Sequence, residues 1–192
     1  AAGTGSVTFS GAVSGPFGSG TGAAITVSSG DLGVEFVNTV TTAGALSITP
    51  DVTFRQDVTI GAGDTASNFD GNVTLDGLTM NAGRTVTFGD ALADTITLST
   101  GAVSISTTAN DGDLDFNGPI SGDFDLSLTT QGAGRVIFAG DVTVGATALN
   151  ALTIDAGGVD LEANVDLDTA TPPVDGDISL TVDDFTLAGT NT

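Results

Sequence analysis

A short apolar triplet that returns at a nearly fixed interval limits this chain more than any other feature. From Leu114 to Leu167 it appears as LDF, PIS and LSL, then VIF, VTV and LTI, then VDL twice. The pattern is apolar, variable, apolar. On a strand the outer two residues then share one face and the middle one takes the other. Val136 follows Leu114 after 22 residues, and Val159 follows Val136 after 23. The steps Ile120 to Val142 and Val142 to Val165 are also 22 and 23, and Leu126, Leu152 and Ile178 stand 26 apart. Three short strands therefore recur together. A unit this small cannot bury its inward residues alone. It must cover them with copies of itself, which predicts a solenoid.

The triplets VTF at Val7, VEF at Val34, VTF at Val52, VTL at Val73, VTF at Val86 and ITL at Ile96 extend the pattern. Between Leu78 and Ile105 one strand, VSI at Val103, exceeds the three-strand count. No stretch carries apolar residues at helical spacing. The expected fold is an all-β parallel β-helix of about eight turns. It forms one repeat-built domain over 1–192, with a looser C-terminal part at 170–192 that holds ISL at Ile178 and FTL at Phe185. Stretches 15–20 and 61–69 and the pair Pro172-Pro173 have loop composition. The runner-up is an antiparallel β-sandwich. Asp70-Gly71, Asp76-Gly77, Asp111-Gly112, Asn117-Gly118 and Asp175-Gly176 are hairpin dipeptides, but strands this short suit a sandwich poorly. Phe9, Phe36, Phe54, Phe88, Phe116 and Phe138 each close an apolar-x-Phe triplet. In a coil, equivalent positions stack at ~4.8 Å, so these rings are expected to form one inward ladder.

The chain sets 24 acids against Arg55, Arg84 and Arg135, and it has no Lys, His, Cys, Trp or Tyr. A net charge of −21 argues against nucleic acid and anionic membranes as partners. No apolar run approaches the ~20 residues of a membrane-spanning helix, so no membrane insertion is expected. Of the acids, 22 are Asp, which is both a turn residue and a compact oxygen ligand. Asp111, Asp113 and Asp115, with Asp123 and Asp125, form the densest group, and calcium is the cofactor they would suit. A second group gathers Asp166, Asp168, Asp175, Asp177, Asp183 and Asp184. Neither has EF-hand spacing. No enzymatic activity is expected. Without His or Lys there is no proton shuttle near neutral pH and no base for a nucleophile triad. Thr fills the middle of many triplets, at positions 8, 53, 59, 74, 79, 87, 97, 143 and 153. These residues are expected to face solvent as good strand formers, without the paired T-x-T rows of an ice-binding face.

The passages GDLDFNGPISGDFDLSLTTQGAGRVIFAGDVTVGATALNALTIDAGGVDLEANV, NVTLDGLTMNAGRTVTFGDAL and GSVTFSGAVSG resemble the β-strand repeat regions of filamentous-haemagglutinin-like and autotransporter-type bacterial surface proteins. The resemblance implies a right-handed parallel β-helix, secretion to the cell exterior, and adhesive or structural work. The chain lacks the NPNG-type motif of a two-partner secretion domain, which points to a repeat segment rather than a secretion signal. Two functions are expected. One is a structural subunit or repeat segment of an extracellular filament, surface layer or other cell-surface assembly, polymerising head to tail with copies of itself. Its edges would be Val7-Thr8-Phe9 and Phe185-Thr186-Leu187, because a coil leaves unpaired backbone groups at both ends. The other is an adhesin module that binds a surface receptor or glycan through exposed loops such as 15–20 and 61–69.

Overall fold

The computed structural model describes residues 5–15, 23–28, 32–61, 66–107, 111–143, 149–162, 165–166 and 177–187. Within them every regular element is a β-strand, and the strands pair in parallel. They fall into three rows around one core. The first row holds Gly5–Phe9, Leu32–Phe36, Val52–Phe54, Val73–Asp76, Ile96–Ser99, Ile120–Ser121, Val142–Thr143 and Val165–Asp166. The second begins with Val13–Gly15, Val40–Thr42, Val58–Ile60, Thr79–Ala82, Val103–Thr107 and Leu126–Thr129. The third begins with Ala23–Val27, Ala45–Ile48, Ser67–Phe69, Val86–Phe88, Leu114–Phe116 and Arg135–Phe138. The fold is the parallel β-solenoid, not the sandwich. Asp70-Gly71, Asp76-Gly77 and Asn117-Gly118 sit at corners of the coil, between strands of different rows, rather than at hairpin turns.

About six turns are built of three separate strands, fewer than the eight expected. Beyond them the second and third strands fuse into Ala151–Leu161 and Asp177–Leu187, which pair along their length. LTI and VDL thus belong to one strand, as do ISL and FTL. The cause is local. Only Gly157 and Gly158 separate Ala156 from Val159, and only Asp183 and Asp184 separate Val182 from Phe185. No residue is spare to leave the ladder at that corner. The rest of 170–192, including Pro172-Pro173, lies outside the described residues, as do 16–20 and 62–65.

Stretch 61–69 is not all loop, because Ser67–Phe69 is a third-row strand. It escapes an apolar pattern because Ser67 takes the first inward place. That serine is buried, and its Oγ accepts the Leu46 N–H at 3.0 Å. The strand count between Leu78 and Ile105 also resolves. Val86–Phe88 belongs to the third row, Ile96–Ser99 to the first and Val103–Thr107 to the second. The matched first-row residues Val7, Val34, Val52, Val73, Ile96, Ile120, Val142 and Val165 are 27, 18, 21, 23, 24, 22 and 23 residues apart. Corners absorb these differences, so the ladders stay in register and the inward residues stay inward.

Seven of the ten phenylalanines form one continuous stack, with ring centroids 4.8 to 5.6 Å apart. They do not occupy equivalent positions, which corrects the single-row ladder. Phe9, Phe36 and Phe54 close first-row strands, whereas Phe69, Phe88, Phe116 and Phe138 close third-row strands. The stack changes row in the turn that holds both Phe54 and Phe69, whose rings meet at 69°. Leu75 and Leu98 continue the first row past Phe54, and Val27 and Ile48 precede Phe69 in the third. One large ring per turn, with two at the crossing, keeps the interior filled at nearly constant density. Phe138 is fully buried. Phe138→Ala should therefore cost about 3–5 kcal/mol of stability, read from equilibrium urea unfolding. A loss under about 1 kcal/mol would remove the ring from the core.

Candidate functional site

The aspartates work first between turns. Asp51 Oδ1 accepts both the backbone N–H and the Nδ2 of Asn72 at 3.0 Å. Asp57 Oδ1 accepts the Thr79 N–H at 2.8 Å. Asp111 Oδ1 accepts the Ala133 N–H at 2.9 Å, and Asp113 Oδ1 the Arg135 N–H at 2.7 Å. In every case the donor lies 21 or 22 residues after the acceptor, which is one turn. A corner N–H falls outside the strand ladder and needs a partner. The carboxylate below supplies a charge-assisted one. The sequence signal for this role is an Asp one repeat ahead of a strand start.

Two arginines each tie three turns together. Arg55 Nε meets Glu35 Oε1 at 2.5 Å on one side, and its Nη1 meets Asp76 Oδ2 at 2.5 Å on the other. Arg135 Nη2 meets Asp160 Oδ1 at 2.5 Å, and its Nη1 reaches Asp184 Oδ2 at 3.1 Å, one turn further on. The hydrogen bond from Arg135 holds the Asp160 carboxyl below the usual Asp range. Both clusters are partly open to water, which screens their charges, so each pair stabilises only modestly.

The densest acidic group is divided by these duties. Asp111, held at φ 54°, and Asp113 serve the next turn. Asp115 lies half-buried on the outward side of Leu114–Phe116. Its Oδ2 accepts a long hydrogen bond from Thr87 Oγ1 at 3.4 Å, and its Oδ1 is buried without a partner. Burial, then the charge of Asp113, pushes its pKa up. Asp123 and Asp125 are exposed at a different corner. Among the described residues no three acidic side chains come together to hold a metal ion. Of the second group, Asp168 and Asp175 lie outside the described residues, and only the backbone of Asp166 is described. Asp177, Asp183 and Asp184 are exposed on the last strand.

The edges of the coil stand apart from the rest of the surface. Among the described residues Gly5–Phe9 pairs only with Leu32–Phe36, and Asp177–Leu187 only with Ala151–Leu161. Val7 is 39% exposed, Leu180 and Phe185 44%, and Leu187 56%. Apart from Leu92, these are the only large apolar residues exposed among those described. Thr8 and Thr186 are exposed beside them, and Phe9 lies half-buried on Phe36 at 4.8 Å.

No protein family, no curated protein and no solved structure matches this chain. Its architecture is compatible with β-helix repeat proteins.

Asp115→Asn should stabilise the fold at neutral pH by ~1 kcal/mol, since an amide has no charge to desolvate. A carboxyl with a raised folded pKa contributes its stability below the unfolded pKa and loses it as pH rises through the folded value. The variant's advantage should thus be full at pH 7 and vanish below the ordinary Asp range. Urea midpoints across that interval measure it. A variant less stable than the parent at pH 7 would show that the carboxylate is stabilising.

Proposed function

We propose that this chain is a non-catalytic structural segment of an extracellular cell-surface assembly, and that its coils stack end to end. The observation that carries this reading is the pair of one-sided edges with their exposed apolar residues. The ends are also electrostatically unlike. Residues 1–30 contain no charged side chain, whereas the last strand carries Asp177, Asp183 and Asp184. Joining two last strands would gather like charges. Joining a last strand to a first turn sets acids against an uncharged surface. A contact between unlike surfaces need not close and so propagates as a filament. Backbone pairing across the joint, by strand addition, would supply the affinity. The resemblance to filamentous-haemagglutinin-like and autotransporter-type repeats supports placement at the cell exterior. It rests on GDLDFNGPISGDFDLSLTTQGAGRVIF and its companions.

Sedimentation velocity across a sodium chloride series is the test. The net charge opposes association at low salt, so larger species should grow as salt screens it. Leu187→Asp changes an exposed side chain and should block growth with little effect on the melting temperature. A single monomeric species at high concentration and high salt would overturn the proposal.

A further inference from the structure

The outward face of the second row carries hydroxyls in two columns. In the first, Thr79 lies beside Ser104, Ser104 beside Ser127, Ser127 beside Thr153, and Thr153 beside Ser179. Two residues along, Asn81, Ser106 and Thr129, with Thr59 on the preceding strand, make the second, in which Asn81 contributes an amide in place of a hydroxyl. Paired outward hydroxyls are thus present on this face, as Ser104 with Ser106 and Ser127 with Thr129. A pattern search for T-x-T overlooks them because serine takes half the places.

Along the first column runs a groove of about 440 Å³ that crosses four turns, from Thr79 to Thr153. Gly77, Ala102 and Ala151 line its corner side with nothing larger than a methyl group, and Asp125 stands in the same corner column between Ala102 and Ala151. Gly77, at φ +53°, packs against Gly101 and keeps that corner flush. Asp125 is the one charged residue in the lining. Among the described residues, the hydroxyls of Ser104, Ser127 and Thr153 have no hydrogen-bond partner. They are free to donate and to accept.

The step along this column is the strand spacing, ~4.8 Å. An extended peptide advances ~3.3 Å per residue and falls out of phase with it. It would also seek backbone edges, which the ladders here already use. A pyranose chain advances by about one such step per ring and offers neutral hydroxyls at each. With no cation in the lining, an acid beside it and a net charge of −21, an anionic chain is repelled.

We propose that this groove binds a neutral, extended polysaccharide lying along the coil axis. Thr79, Ser104, Ser127 and Thr153 hydrogen-bond successive rings, and Asp125 accepts from a ring hydroxyl. The site lies on a side of the coil and does not depend on stacking of its ends.

Affinity electrophoresis of the full chain tests it, in gels holding a soluble neutral glucan, a mannan, a galactan or a polyuronate. At least one neutral polymer should retard the chain, and the polyuronate should not. The double variant Ser104→Val, Ser127→Val keeps strand preference and removes two hydroxyls. It should weaken retardation at least tenfold at an unchanged melting temperature. Ala102→Leu fills the groove from an exposed position and should do the same independently, which covers the case of a misfolded double variant. Retardation by none of the neutral polymers, retardation by the polyuronate alone, or parental binding by Ala102→Leu would each overturn the proposal.

Discussion

In-register stacking of one turn on the next is the constraint on which this structure depends. A parallel ladder joins each residue to its equivalent in the neighbouring turn, so a slip of one residue would turn every inward side chain outward. The chain tolerates repeats from 18 to 27 residues long because the differences fall at corners, outside the ladders. What the core conserves is volume per turn, not residue type per row. The passage of the phenylalanine stack from the first row to the third, between Phe54 and Phe69, shows this directly. A large ring can move to another strand provided that Leu75 or Ile48 fills the vacated place.

The same stacking explains the lopsided acids. A corner N–H lies one strand spacing, ~4.8 Å, above the previous turn. A short Asp side chain spans that gap, as Asp57 does to Thr79 and Asp111 to Ala133. Glu carries a further methylene that must be folded away to make the same bond. Stacked carboxylates repel, and the chain answers with few but well-placed cations. Arg55 stands between acids of the turns on either side, and Arg135 reaches acids one and two turns further on, so each guanidinium offsets charge on two levels. Asp115 is the cost of this arrangement, a half-buried carboxylate with one oxygen left without a partner.

Much of the fold is legible in the triplets. Leu114, Val136 and Val159 are direct neighbours, as their spacing requires. So are Leu126, Leu152 and Ile178. Row assignment is less legible, because V-T-F has the same form in the first row at Val52 and in the third at Val86. Ser67 hides a strand by replacing an apolar inward residue with a hydrogen-bonding one. The fusion of the last corners depends on a deficit of one or two residues, which a pattern of triplets does not register. At the candidate site, local density pointed to Asp111, Asp113 and Asp115 as one cluster. The bonds of Asp111 and Asp113 run to the next turn and that of Asp115 to the preceding one, and only spacing across the repeat reveals that.

The two proposed surfaces lie at right angles and reinforce one another. End-to-end contact uses the edges of the first and last strands, whereas the hydroxyl groove faces sideways along the axis. Each added copy extends the coil along the same axis and presents the groove again. A polysaccharide long enough to span two copies would meet its second groove at high effective concentration. Shallow contacts through single hydroxyls, weak in one copy, then sum without any new chemistry. The acids set the sign of both effects. They keep isolated copies apart at low salt and turn away anionic polymers, while the uncharged first turn and the hydroxyl columns are the parts of the surface that repel neither a second copy nor a neutral chain.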